Sequence, residues 1–216
     1  MKTESLQDCS NMENKTLKEF TQLTASKDPV PGGGSVSALC GSLAAALAEM
    51  VTNLTIGKKK YLEYTFELTD IRKELDILRT NLLDCIRKDQ EAFTPLAQAY
   101  ALPKDSEGYA EKLEQCLRNA ADPPLLILKY CTRIIELDER LAVIGSKISV
   151  SDAASSVMLA QGTLYAAYVN ILINTSLMKD REYAEKIEKE AVALLDEYSV
   201  MALNIYDDIC KRLTNG

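Results

Sequence analysis

The chain of 216 residues contains no histidine and no tryptophan. Without histidine it can form neither serine-histidine nor cysteine-histidine nucleophile systems, and zinc and non-haem iron lose their commonest nitrogen ligand. Any group that moves protons near neutral pH must therefore be a carboxylate, lysine, tyrosine or cysteine whose pKa is shifted by its surroundings. We expect no metal site.

Excess basic charge and paired-cysteine motifs are also missing. The net charge is -7, and because nucleic-acid binding depends on clustered lysine and arginine, we expect no nucleic-acid partner. The six cysteines show no CxxC spacing, and three fall on apolar faces of predicted helices, so we interpret them as reduced core thiols. They are Cys9, Cys40, Cys85, Cys116, Cys131 and Cys210.

Targeting signals are equally scarce. The N-terminal residues have no apolar core of a signal peptide, and the apolar run around Ala44 is short and interrupted by Glu49. We therefore expect a cytoplasmic protein without a membrane partner. The length predicts one domain over residues 13–216, preceded by a disordered tail over residues 1–12.

Apolar residues recur at spacings of three and four, and no stretch alternates between apolar and polar residues. This pattern predicts an all-α bundle of six or seven helices. A first short helix covers residues 17–23, and a long one runs from about residue 61 to 96 with a kink at Pro95. Beyond the loop 102–108, we expect a short helix to end before Pro123 and Pro124. Separate helices follow over residues 125–144, 153–178 and 183–209.

The stretch of residues 28–61 organises the chain. Its two prolines keep the backbone before the helix extended, and the three glycines after them permit a turn. A helix is predicted to begin near Ser35, which would be its capping residue. Large apolar residues form one stripe of this helix and small residues a second face, so we expect it to be buried, with its small face against residues 153–178. Its N-terminus presents unpaired amides to whatever lies beside the glycines.

Two features of the chain admit both a structural and a functional interpretation. The PGGGS motif is either a strained turn that caps a buried helix or a cradle for a phosphate or carboxylate, but it lacks the spacing of a P-loop. Asp89 interrupts an apolar stripe, and burying an unpaired carboxylate is costly. Asp89 is therefore either part of a structural ion pair or a site residue.

Three further features leave the same choice open. Ser149 and Asp152 match the [ST]xx[DE] pattern of a capping box at the start of a helix. Asn170 and Asn174 lie one turn apart and are either core hydrogen-bonding residues or substrate contacts. Lys58, Lys59 and Lys60, here the lysine cluster, are either a solvated helix end or the binding site of an anionic substrate tail.

Three runs carry a resemblance to a known family: PVPGGGSVSALCGSLAAALAEMVTNLTIGKKKY, KDQEAFTPLAQAYALPK and SDAASSVMLAQGTLYAAYVNILIN. Over about residues 17–211 the chain resembles the cyclodeaminase/cyclohydrolase family of folate one-carbon enzymes. The resemblance implies an all-helical homo-oligomer, with a dimer expected, that binds reduced folate. It implies no permanently bound cofactor, and a tetrahydrofolate derivative, with or without a polyglutamate tail, as substrate.

The resemblance also implies a site. Asp152 matches the aspartate generally given the acid/base role, and we expect Asp89 and Asp152 to form a functional pair in one cleft near residues 32–35. Ala153 and Ala154 depart from the family where a glycine is frequent. The matching substrate-binding positions are Gly32, Gly33, Gly34, Ser35, Lys60, Tyr61, Phe93, Pro103 and Lys104, to which we add Asn170 and Asn174.

For the reaction, the resemblance favours cyclodeamination of 5-formiminotetrahydrofolate to 5,10-methenyltetrahydrofolate and ammonia. Cyclohydrolysis of 5,10-methenyltetrahydrofolate to 10-formyltetrahydrofolate is the alternative. Both pass through a tetrahedral carbon at which a carboxylate can stabilise charge and move protons, so neither needs histidine. A helical interaction protein without catalysis is the third hypothesis.

Overall fold

The computed structural model of the protein describes residues 12–215, and all regular structure in that range is helical, which confirms the all-α prediction. Residues 1–11 of the predicted tail, with Cys9, lie outside the described residues. Met12 is buried in a 3₁₀ turn and belongs to the core. The 3₁₀ turns are Met12–Asn14, Lys59–Tyr64 and Lys147–Ser149. The α-helices are α1 (Leu17–Thr24), α2 (Gly33–Asn53), α3 (Thr65–Tyr100), α4 (Tyr109–Ile144), α5 (Val150–Thr175) and α6 (Arg181–Thr214).

Four long helices lie side by side in the order α3, α2, α5 and α6, and α4 packs against all four. The expected contact between α2 and α5 is confirmed, since Ser156 Oγ of α5 donates to the Ala44 carbonyl of α2 at 2.8 Å. Because α2 and α5 have a helix on each flank and α4 behind them, their remaining faces point away from α4. In the described part of the chain no helix covers those two faces.

The small face of α2 is the one that packs inside. Gly41, Ala44, Ala45 and Ala48 are buried, and a side chain at Gly41 would press on Cys131 and Leu82. The large apolar stripe is instead exposed in part, at Leu43, Met50 and Leu54. The expectation that α2 is buried on both sides is therefore wrong, because small residues let the neighbouring helices approach closely and leave the large side chains outside.

Helix α4 continues through Pro123 and Pro124, which the sequence analysis placed between two helices. Pro124 has no amide to donate to the Ala120 carbonyl four residues earlier, but Asn174 Nδ2 of α5 donates to that oxygen at 3.1 Å. Both proline rings are buried. A side chain from another helix thus replaces the missing backbone hydrogen bond and allows one helix of 36 residues. Pro95 likewise lies inside α3, and Gly145 is the C-cap of α4.

One carboxyl group, which the sequence analysis did not single out, lies in the centre of the bundle. Asp138 is 0 % exposed, and burial raises its pKa well above the ordinary value. Its Oδ2 lies 2.7 Å from Ser156 Oγ, while the same hydroxyl lies 2.8 Å from the Ala44 carbonyl. Ser156 has one proton and a carbonyl can only accept, so that proton goes to Ala44. Asp138 must then supply the proton of its own bond and is a neutral acid.

The described cysteines are all free, with Cys85, Cys116 and Cys131 buried and Cys40 and Cys210 partly buried. Burial raises the pKa of Cys85 to about 11 and that of Cys131 further. Helices α2 and α5 are long and apolar enough to cross a membrane by length and composition, although core helices of soluble proteins pass the same test.

Candidate active site

A cavity of about 210 Å³ opens where the N-terminus of α2 meets the C-terminal half of α5. Residues of α3 and α4 close its other sides. Its lining combines polar groups with apolar walls, as ligand sites do. The lining includes Gly33, Gly34, Asp89, Phe93, Tyr100, Pro124, Asn170, Ile173 and Asn174.

The glycines are there because other groups come close to the backbone. A Cβ on Gly34 would overlap Asp89 Oδ1 and stand 2.6 Å from Asp89 Cγ, and one on Gly33 would stand 3.0 Å from Asn170 Nδ2. Gly32, not Ser35, is the N-cap of α2. Ser35 instead lies in the first turn, and its Oγ donates to Asp89 Oδ2 at 2.8 Å.

Asp89 is a carboxylate held against a helix N-terminus. Burial raises its pKa, while hydrogen bonds from the Ser35 hydroxyl and amide act in the opposite direction, as expected at a helix N-terminus. Its described partners do not include a lysine or arginine. The ion-pair interpretation is therefore wrong. Asp89 caps α2 from a neighbouring helix and keeps Oδ1 available beside Gly34.

Asn170 and Asn174 present acceptors to the same cavity. Asn170 Nδ2 donates to the Ala166 carbonyl at 2.7 Å, and Asn174 Nδ2 donates to Ala120 and to Asn170. Both amide hydrogens of Asn174 and one of the two of Asn170 are used within the fold, so the two side-chain oxygens and one N–H of Asn170 are left for a ligand. Together with Asp89 they give the pocket several hydrogen-bond acceptors. Such a pocket suits a ligand that is cationic or rich in N–H donors.

Other predicted site residues lie at the opposite end of α2 and α5. Asp152 and Asn170 are both on α5 and eighteen residues apart, which corresponds to about 27 Å. Lys60 and Tyr61 follow the C-terminus of α2, where the Lys147 amide donates to the Tyr61 hydroxyl at 3.3 Å. Lys58 Nζ donates to Ser146 Oγ at 2.8 Å in the same region. Within one chain, the expectation of one cleft for Asp89 and Asp152 is therefore wrong.

The predicted capping box is also absent from this part of the described chain. Ser149 precedes α5, but its Oγ donates to the Ser146 carbonyl at 3.2 Å and makes no capping hydrogen bond. Asp152 is partly exposed in the first turn. The cap prediction failed because a 3₁₀ turn, Lys147–Ser149, uses the serine locally.

Two predicted residues lie near the cavity without lining it. Pro103 and Lys104 are exposed in the loop after α3, a few residues beyond Tyr100. Sequence reasoning missed Tyr100 and Pro124, which do line the cavity. The spacing of Tyr100 from Phe93, seven residues on the same face of a helix, was a signal that could have found it.

Comparison with known proteins agrees with this arrangement. The sequence profile of the family described as Formiminotransferase-cyclodeaminase matches residues 16–193. The chain belongs to this family. It is 37 % identical over 204 residues to a methenyltetrahydrofolate cyclohydrolase of Methylorubrum extorquens, with 93 % of this chain and 98 % of that protein covered. It is 26 % identical to the formimidoyltransferase-cyclodeaminase of Sus scrofa, of which it covers 38 %.

A solved family structure has the same fold. The crystal structure of formiminotetrahydrofolate cyclodeaminase from Thermotoga maritima matches with a TM-score of 0.80 and 33 % identity. The match covers 94 % of this chain and 98 % of that one. The resemblance identified from the glycine motif is thus confirmed at the level of family and fold.

Proposed function

We propose that this protein is a folate one-carbon enzyme that hydrolyses 5,10-methenyltetrahydrofolate to 10-formyltetrahydrofolate in the cavity of Asp89. The observation that carries the proposal is the state of the Asp89 carboxylate. It is partly buried, its pKa is raised, and it has no cationic partner among the described residues. It lies against the glycine-rich N-terminus of α2. Sequence reasoning placed deamination first. The 37 % identity to a cyclohydrolase of matching length is why we now place hydrolysis first.

The pocket suits the methenyl cation. Its polar groups include the Asp89 carboxylate and the oxygens of Asn170 and Asn174, which attract positive charge in a partly desolvated site. Phe93 and Tyr100 supply flat apolar walls for a bicyclic ring. These groups bind and orient the cation so that one face of its central carbon is open to water.

Hydrolysis then needs one base and no histidine. Water attacks the carbon between N5 and N10, a C–O bond forms, and one water proton passes to Asp89. The C–N5 bond of the tetrahedral intermediate breaks, the second water proton ends on N5, and Asp89 releases its proton to solvent. A carboxylate with a raised pKa is a better base for this step than a fully solvated one.

Deamination of 5-formiminotetrahydrofolate is the second candidate, because the Thermotoga maritima protein of similar fold is described as a formiminotetrahydrofolate cyclodeaminase. N10 attacks the formimino carbon, a C–N10 bond forms and the C–N bond to ammonia breaks. The N10 proton and one from Asp89 convert the leaving imino nitrogen to ammonia. The same carboxylate would then begin the cycle protonated.

One assay separates the candidates. Purified protein is incubated in one experiment with the methenyl compound and in another with the formimino compound, while the absorbance of methenyltetrahydrofolate is followed. Loss of absorbance in the first with no gain in the second supports hydrolysis. Gain in the second supports deamination. No change in either experiment, with folate binding absent by calorimetry, refutes the enzyme proposal and leaves the interaction-protein hypothesis.

Replacing Asp89 by Asn tests the role of the carboxylate. Asn still accepts from the Ser35 hydroxyl, so the fold should be kept while turnover falls roughly 10²- to 10⁴-fold, the usual contribution of a general base. Asp70→Asn, on an exposed part of the same helix, is the matched control. Equal turnover of the two variants, or a melting temperature that falls with activity for Asp89→Asn, would show a structural role only.

A further inference from the structure

A contiguous segment of the chain, residues 96–121, closes one side of the pocket. It consists of the end of α3, the loop that follows and the start of α4. Leu96, Tyr100 and Ala120 of this segment line the cavity, while Asp89 belongs to the rest of the bundle. The pocket therefore lies at the boundary between this segment and the main body of the protein.

We propose that residues 96–121, here the lid, pivot at the prolines that bound them and so open and close the pocket of Asp89, and that a bound ligand holds the lid closed. The identity of the ligand, a reduced folate, rests on the proposed function. The motion rests on packing and hydrogen bonding alone.

The lid has a hydrophobic cluster that is separate from the main core. Six of the eight buried residues in this second cluster belong to the lid, Cys116 and Leu117 among them. The other two are Met178, which precedes α6, and Ala184 in the first turn of α6. Because most of this apolar surface is buried within the lid itself, the lid can separate from the body more easily than a helix of the main core can.

Prolines interrupt both helices where they enter the lid. Pro95 precedes its first residue in α3, and Pro123 and Pro124 come just after its last residue in α4. Each ring removes an amide that would bind the carbonyl four residues earlier, and helices bend most readily at such points. Pivots at both places move the lid as one piece and leave the remainder of each helix where it is.

Polar contacts on the surface hold the lid to the residues between α5 and α6. Glu114 accepts hydrogen bonds from the amides of Lys179 and Asp180 at 2.7 and 3.3 Å. Arg118 Nη2 lies 2.5 Å from Asp180 Oδ2, and the guanidinium lies 4.3 Å from the centre of the Tyr183 ring. The side chains of Arg118 and Asp180 are 31 % and 42 % exposed, so water can replace this ion pair when the lid opens.

Asn174 connects the pivot in α4 to the pocket. Its Nδ2 donates at 3.1 Å to the Ala120 carbonyl, which Pro124 leaves without a backbone donor. Its other amide hydrogen goes to the Asn170 carbonyl, so its oxygen is left for a ligand. A ligand N–H on that oxygen strengthens the bond to Ala120, because linked hydrogen bonds polarise one another. Ligand binding therefore favours the closed lid.

The pocket must widen to admit the proposed substrate. Its volume of about 210 Å³ is smaller than the roughly 300 to 1,000 Å³ of most small-molecule sites. Outward movement of the lid carries Leu96 and Tyr100 away from Asp89 and widens the entrance. Closure afterwards holds the bound folate against the carboxylate.

The thiol of Cys116 reports the motion without any assay of activity. It is 7 % exposed in the second cluster and does not line the cavity, whereas Cys131 is 0 % exposed in the main core. A thiol reagent followed by peptide mass spectrometry should modify Cys116 at the rate at which the lid opens and leave Cys131 unmodified. Tetrahydrofolate, which has no one-carbon unit and cannot react, should slow the modification about tenfold when present at about ten times its Kd.

Two variants with matched controls test the surface contacts and the pivot. Arg118→Ala removes the ion pair to Asp180 and should speed modification of Cys116 roughly two- to fivefold. Arg133→Ala removes an exposed ion pair of the same helix outside the lid and should leave the rate unchanged. Pro95→Ala restores a backbone donor at the pivot and should slow modification, whereas Thr80→Ala, elsewhere on α3, should not.

Three results would overturn the lid. They are modification of Cys116 no faster than that of Cys131, equal effects of a variant and its control, and an unchanged rate when calorimetry shows tetrahydrofolate bound. A different result separates the lid from the proposed function. If Arg118→Ala and Pro95→Ala act as expected but tetrahydrofolate does not bind and the wild type turns over neither folate, the lid stands and the proposed function fails.

Discussion

Because Asp138 is neutral in the folded protein, replacing it should change how the free energy of unfolding depends on pH. Its carboxyl group is 0 % exposed and must donate to Ser156, whose own proton goes to the Ala44 carbonyl. Asp138→Asn keeps the shape and supplies an amide N–H in place of the acid O–H. We therefore expect the variant to fold and to differ from the wild type mainly in how stability depends on pH.

The direction in which stability changes with pH follows from the raised pKa of Asp138 in the folded state. An unfolded aspartate ionises near pH 4, at about 3.9, so above that pH folding must bind a proton at Asp138. Stability contributed by the neutral acid is complete below the unfolded pKa and is lost as pH rises toward the folded pKa. The loss is about 1.4 kcal/mol per pH unit. Between pH 5 and pH 7 the wild type should therefore lose stability relative to Asp138→Asn, by at most about 3 kcal/mol, the full slope over two pH units.

Urea unfolding of both proteins at pH 5, 6 and 7, at one protein concentration, measures this difference. Asp70→Asn, an exposed carboxylate paired with Lys73, should follow the wild-type curve. Parallel curves for Asp138→Asn and the wild type would mean that Asp138 is ionised in the folded protein. The hydrogen-bond direction inferred at Ser156 would then be wrong.

Three further predictions concern the site and the thiols. Gly34→Ala should displace the Asp89 carboxylate, abolish most turnover and cost about 1 to 3 kcal/mol of stability, measured by urea unfolding; unchanged activity would refute the close approach. Replacing the lysine cluster by glutamine should raise KM more for polyglutamyl than for monoglutamyl folate, and an equal rise would reject its tail-binding role. At pH 7.5 thiol reagents should leave Cys85 and Cys131 unmodified in the folded protein, since burial raises both pKa values; rapid labelling by mass spectrometry would contradict this.

The sequence by itself determined the fold class and the family. Apolar spacing of three and four, without alternation, predicted helices at nearly all of the observed places, because helix periodicity is a local property of the chain. The glycine motif beside Pro31 also identified the end of α2 where side chains of other helices come close to the backbone. Asp89 and Asn170 come so close to the backbone that glycine is needed there, and this need for glycine is visible in the sequence.

Only the tertiary structure decided which of these residues meet. The sequence could not show that Asn174 replaces the hydrogen bond lost at Pro124, because the two lie on different helices and the repair depends on their packing. It could not separate Asp152 from Asp89 either, since a motif fixes residue types while the rise of 1.5 Å per residue along α5 fixes distance. Nor could it show that the large apolar stripe of α2 stays partly exposed, because both faces are apolar and close helix packing made the choice.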